Sequence, residues 1–253
     1  MDKSSNQSRY VAHFDMLGFK NAIARDQRKA WAALCGLRHC MDGVSNYVLE
    51  HIAEERFIPH RITTRIFSDT ILVFTLSDQT DDLLSMVLLT AQLFSDALAS
   101  QIPLRGAIAH GEFFVNDAFQ LYCGVPFVKA YELGEQSQWC GIILDDVVAD
   151  HFQNCSSTPL TVEGNIPTIV SWDVPLKTGE KRTSWVVNWP VIFQEGFKKH
   201  PPFSIEEYYE IFEPLLGPYS SLTASSKAKH QNTVDFLNTQ YRALSKTPNE
   251  VPG

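Results

Sequence analysis
Cysteine is scarce in this chain, and long apolar runs are missing. The five cysteines (Cys35, Cys40, Cys123, Cys140 and Cys155) are an odd number without a Cys-x-x-Cys pair. That pattern argues against a disulfide framework or a zinc site and for reduced, mostly structural thiols in a cytoplasmic protein. No uninterrupted apolar stretch reaches bilayer-spanning length, and the polar start Met1 to Ser8 lacks the apolar core of a signal peptide. No membrane association is expected. Positive charge is in deficit: a formal net charge of −8 over 253 residues disfavours nucleic acid as a partner or substrate. A small phosphorylated ligand stays open, because a few local cations and metal ions can override the net field. Internal repeats, low-complexity tracts and Gly/Ser/Pro linkers are absent too.

What is present is an ordinary globular composition, 44% apolar and 20% charged, in a chain long enough to bury a substantial core. Tyr10 to Phe19 reads as a short strand ending at Asp15, then a turn containing Gly18, then helical sequence through about Glu55. Within that helix Trp31, Leu34, Cys35 and Leu37 are expected to face the sheet. Residues 61–76 read as a hairpin, with β-branched and apolar residues on both sides of Ser68-Asp69. Asp81 to Ser100 is an apolar helix whose acidic start suits the helix dipole. Leu104 to Glu112 is a strand, with Phe119 to Tyr122 as its short partner. Gly124 to Gln136 comes next as a helix, Gly141 to Leu144 as a strand, and a short helix starts at Asp145. This order fits an α+β sheet with helices on one face, assigned to residues 1–157. Residues 158–253 read as a C-terminal α/β extension packed on it, with strands at Thr168–Trp172 and Trp185–Trp189 and helices around Ser204–Leu216 and Ser225–Ala243.

If the strand before Asp15 lies beside the hairpin, Asp15 and Asp69 converge at one edge of the sheet as a divalent-metal site. Taken singly, an aspartate at a strand end is more often a cap or turn residue, and His13 and His110 are more often near-core histidines than bases.

In combination the segments resemble the class III nucleotidyl cyclases. Phe14-Asp15-Met16-Leu17-Gly18-Phe19 is similar to the first metal motif of that family, and Ile66 to Phe74, with Asp69 in the turn, to the second. Leu104 to Gly111 is similar to the family's next strand, and Gly124 with Ala130 to the start of the helix after it. The resemblance covers about residues 9–148, in order. It implies a ferredoxin-like, palm-type fold and a homodimer with active sites at the interface. It also implies two divalent ions, Mn²⁺ or Mg²⁺, bound by Asp15, Asp69 and the backbone carbonyl of Met16. Hard ions want oxygen ligands, and such a pair can activate a ribose 3′-hydroxyl for in-line attack on the α-phosphorus. The N–H groups of Leu17, Gly18 and Phe19, at a helix start, suit the β- and γ-phosphates.

Base recognition departs from the purine enzymes. Arg65 stands where they carry lysine or glutamate, and Leu121 where they carry aspartate or cysteine. Arginine offers donors only, which suits the carbonyls of uracil, O2/N3 of cytosine or O6/N7 of guanine. The whole pattern, extension included, resembles most the pyrimidine cyclases of bacterial Pycsar anti-phage systems. That implies UTP, in preference to CTP, as substrate and a downstream cyclic-nucleotide effector. The family's transition-state asparagine and arginine positions are Val128 and Glu132 here, so Arg105 and Lys129 become the candidate cations. A purine cyclase and a cyclase-like module that binds nucleotide without turnover are the alternatives; a Gly-Gly-Asp/Glu-Glu-Phe signature for dinucleotide synthesis is absent.

Overall fold
A computed structural model describes residues 5–51, 62–155, 161–162, 166–191 and 202–244. Strand β1 (Ser5–Met16) lies inside the sheet, flanked by β3 (Thr70–Thr75) and β4 (Leu104–Asn116). The hairpin partner β2 (Ile62–Phe67) lies outside β3. On the other side stand β6 (Ile142–Leu144), β10 (Lys181–Val187) and β9 (Ile169–Pro175). β5 (Leu121–Gly124) pairs with the far end of β4. All neighbours in this eight-stranded sheet are antiparallel except β4 and β6. The mixed α+β architecture is the expected one. A separate two-stranded ribbon joins β7 (Thr161–Val162) to β8 (Ile166–Pro167).

Strand alternation fixes the two faces. Tyr10, Ala12, Phe14 and Met16 all point into the main core and are essentially solvent-free. Over them pack α2 (Gln27–His51), α3 (Thr80–Ala99) and α5 (Asp146–Gln153). α3 has the length and apolarity of a membrane span, but most of it is buried in this core. Arg9, Val11, His13 and Asp15 point the other way, towards a smaller cluster of Val11, Leu72, Phe74, Phe113 and Val115. Across this second face lies α4 (Val125–Gln136), so helices are not confined to one face of the sheet. Glycine permits its close approach: a Cβ on Gly134 would stand 3.3 Å from the Gly106 Cα.

Several boundaries move for identifiable reasons. In α2 the inward stripe is Ala30, Leu34 and Leu37, whereas Trp31 is 67% exposed and Cys35 also faces solvent. Leu34 and Leu37 thus face inward as expected, while the stripe widens towards Ala30 and away from Trp31 and Cys35. The reading of helix through Glu55 runs past His51 into residues outside those described. β5 starts at Leu121 because Phe119 and Gln120 belong to the preceding turn, where the Asn116 side chain accepts the Phe119 N–H (3.1 Å). The helix expected over Ser204–Leu216 is two, α6 (Ile205–Tyr209) and α7 (Glu213–Leu216). Pro214 cannot continue the first, since it has no N–H and its ring clashes with the carbonyl four residues back.

The expected boundary at 157/158 lies outside the described residues, but the strands and helices beyond it are continuous with the main sheet and core. β10 pairs with β6 through Val186 and Ile143. The long α8 (Ala224–Leu244) inserts Phe236 among the rings of Trp139 (5.0 Å between centroids), Trp172 (5.1 Å) and Trp189 (6.3 Å). Trp189 in turn stacks on Phe94 of α3 at 4.5 Å. The C-terminal region thus completes the core.

Candidate active site
The C-terminal end of β1 brings the two aspartates together. Asp15 stands opposite Thr70 on one side and Arg105 on the other. One residue on, the Met16 N–H donates to the Asp69 carbonyl at 2.8 Å. Asp69 is the second residue of the tight β2–β3 turn, which Ser68 enters with φ of 55°. Because N–H and C=O of a strand residue point the same way, the Met16 carbonyl also faces the Asp69 side. The chain leaves β1 through Leu17 and Gly18, whose φ of 76° is left-handed, and enters α1 (Phe19–Arg25). A side chain on Gly18 would be strained there and would touch Leu216.

Asp15 is half-buried, and burial pushes its pKa above the usual carboxylate range. Arg105 opposes that rise, while the charges of Glu135 and Asp69 add to it. The field of Asp69 therefore reaches Asp15. The Asp15 Oδ2 accepts from Arg105 Nη2 at 2.9 Å, leaving Oδ1 without a donor among the described residues. No described donor bonds the Asp69 carboxylate either. Nor does any described group of three or more His, Cys, Asp or Glu side chains gather as a metal cage. Two carboxylates and a carbonyl are all oxygen, as Mg²⁺ or Mn²⁺ requires, and ions of this kind commonly complete their shell with water and substrate phosphate. The donor set fits them.

The other sequence-selected residues fall around this point. Arg105 is buried on β4, 3% exposed, and its guanidinium is committed to Asp15, to the Glu135 carboxylate and to the Ser137 carbonyl (3.3 Å). Lys129 is exposed on α4, and its charge is felt at Asp145. Val128 and Glu132 are exposed beside it. The Leu17 N–H donates to the Pro103 carbonyl (2.9 Å), whereas Gly18 and Phe19 begin α1 with N–H groups that no described carbonyl accepts.

Arg65 shares the face of Asp15, through its register with Leu72 and thence His13. Its Nε donates to the Tyr122 hydroxyl (2.8 Å) and its Nη2 to Asp117 Oδ1 (2.9 Å). The Tyr122 hydroxyl donates to the same Asp117 oxygen (2.8 Å). That bond, with the one from Arg65 and its charge, holds the Asp117 carboxyl below its ordinary pKa. Leu121 is 62% exposed at the start of β5. Sequence reasoning missed Asp117 and Tyr122, since only the β4–β5 pairing brings them to Arg65. His13 is a packed core residue: burial lowers its pKa to about 4, and the rings of Phe127 and Tyr131 each lie 5.3 Å away. His110 meets Asp78 at 3.3 Å.

Neither a protein-family model nor a curated protein matches the sequence. Solved structures do match the fold. The catalytic core of a rhodopsin-guanylyl cyclase with converted specificity, in complex with ATPαS, aligns with a TM-score of 0.51 at 14% identity, over 73% of this chain and 97% of that one. A class III adenylyl cyclase-like ATP-binding protein from Pseudomonas aeruginosa aligns at 0.40 and 14% identity, over 58% of this chain and 35% of that one. An adenylate/guanylate cyclase/hydrolase from Silicibacter pomeroyi aligns at 0.43 and 13% identity, over 73% and 98%. The class of fold is thus that of the nucleotidyl cyclase catalytic core.

Proposed function
We propose that this protein is a nucleotidyl cyclase that converts UTP, in preference to CTP, to the 3′,5′-cyclic monophosphate and pyrophosphate. The observation that carries it is the meeting of Asp15 and Asp69 at the end of β1. Asp15, Asp69 and the Met16 carbonyl would hold two divalent ions. When bound, such ions supply Lewis-acid activation of the ribose 3′-hydroxyl and neutralise charge on the triphosphate. The 3′-oxygen gives up its proton to solvent water and bonds the α-phosphorus while the bond from that phosphorus to pyrophosphate breaks. Gly18 and Phe19 offer N–H groups to the β- and γ-phosphates; Leu17, tied to Pro103, does not share in this. Arg65, held by Asp117 and Tyr122, presents its remaining donors to a carbonyl-rich base edge. Arg105 holds Asp15 in place, and Lys129 is the exposed cation closest in sequence to the position the family gives to a transition-state residue.

The working unit is a homodimer that encloses its sites at the interface. Supporting this are Phe119, Leu121, Val125 and Val128, all at least half exposed along the β4–β5 turn, β5 and the outer side of α4. The resemblance to Pycsar cyclases supports a cytoplasmic role, with the cyclic nucleotide as an anti-phage signal for an effector. Val128 and Glu132, where class III cyclases usually carry asparagine and arginine, favour a second reading: a module that binds nucleotide without turnover. Purified protein incubated with Mn²⁺ and each of the four ribonucleoside triphosphates separates the readings. Cyclic UMP as main product is expected. A cyclic purine as main product would remove the pyrimidine assignment, and no cyclic product from any substrate would leave the binding module.

A further inference from the structure
Arg105 does not belong to Asp15 alone. Its Nη2 donates to Asp15 Oδ2 (2.9 Å) and also to Glu135 Oε1, at the end of α4. The other Glu135 oxygen, Oε2, accepts from Lys177 Nζ at 2.8 Å. The four charges alternate in sign along one line: aspartate, arginine, glutamate, lysine. Lys177 comes from the turn between β9 and β10, in the C-terminal part of the chain, and is fastened there. Its N–H donates to the Gln136 carbonyl (2.9 Å), the Gln138 N–H to the Pro175 carbonyl (2.7 Å), and Ser137 bridges to Leu176.

A buried guanidinium shared by two carboxylates neutralises each of them only in part. We infer that Glu135 and Lys177 are positioning residues that set how strongly Asp15 binds a divalent cation, by dividing Arg105 between Asp15 and Glu135. The inference rests on the proposed metal site and assigns the C-terminal region a role there. Glu135 draws the guanidinium away from Asp15, leaving that carboxylate more negative towards a cation. Lys177 occupies Glu135 and weakens this draw. Removing the two therefore has opposite consequences. Glu135→Gln leaves Arg105 to Asp15 and weakens metal binding, whereas Lys177→Met frees Glu135 for Arg105 and strengthens it.

The test is titration of the full chain with Mn²⁺ alone, following free Mn²⁺ by electron paramagnetic resonance. Wild type binds, and Asp15→Asn loses the site. Glu135→Gln raises the dissociation constant about tenfold, the usual scale for residues behind a metal ligand. Lys177→Met, in an exposed turn that tolerates substitution, lowers it about threefold, a solvent-screened effect. Lys181→Met is the control: it removes the same charge from an exposed β10 position and leaves the affinity unchanged. If Asp15→Asn binds like wild type, the metal site falls and the relay with it. If Asp15→Asn loses binding while Lys177→Met matches either wild type or Lys181→Met, the relay falls and the metal site stands.

Discussion
At the scale of single residues, the informative feature of Arg65 is how little freedom it has. An exposed arginine normally samples many rotamers, yet Asp117 and Tyr122 hold this one by two of its nitrogens, with the guanidinium 5.7 Å from the Tyr122 ring centroid. A donor fixed in this way selects by position as well as by charge. Arg65→Gln is expected to lower kcat/KM for UTP about tenfold, the worth of one charged hydrogen bond, and to narrow the gap to other substrates. Asp117→Asn should raise KM with kcat nearly constant, since it loosens Arg65 without touching the reacting atoms. Kinetics with UTP and with ATP, whose base carries no carbonyl, check both. Equal losses for the two bases would mean that Arg65 reads no base.

At the scale of elements, α4 and the strands beneath it depend on two glycines. A Cβ at Gly106 would approach the His13 carbonyl oxygen to 2.2 Å and the Phe14 ring to 2.5 Å, both parts of the neighbouring strand β1. Neither can move without disturbing the β1–β4 register that sets Asp15 beside Arg105. Gly106→Ala is therefore expected to destabilise by about 3 kcal/mol or more, read as the shift of the denaturant midpoint. A shift below about 1 kcal/mol would contradict the packing described.

Legibility in the sequence depends on locality. Asp15 with its glycine turn, and Asp69 in its hairpin, are signals contained within about ten residues each. Their meeting needed only the guess that the two strands are neighbours. The Asp15–Arg105–Glu135–Lys177 line joins residues from distant stretches, and no local pattern carries it. The facing of Trp31 failed because an amphipathic helix of alanine, leucine and cysteine has a shallow apolar stripe, so phase is weakly specified. The joining of β10 to β6 was equally hidden, as short apolar strands carry no label for their partner.

At the scale of the whole molecule, the apolar residues exposed along the β4–β5 turn, β5 and α4 bear on the proposed homodimer. Phe119 is 66% exposed and Val125 64%, a cost in water that a second copy would remove. Sedimentation equilibrium is expected to give a dimer, and Val128→Glu, which puts a charge into that surface, should weaken it at least about tenfold. A wild-type monomer that is fully active would contradict the shared-site arrangement. The eight-stranded sheet, with β9, β10 and α8 completing its core, is the rigid frame for both features.

The most direct measurement compares cyclic nucleotide formed from UTP and Mn²⁺ by wild type and by Asp69→Ala, side by side. Asp69 lies in a partly exposed turn, so the variant should fold normally, as circular dichroism can verify. With one carboxylate of the pair gone, the rate should fall roughly a thousandfold, equivalent to several kcal/mol of lost charge stabilisation. A folded Asp69→Ala protein that cyclises UTP at the wild-type rate would contradict the account.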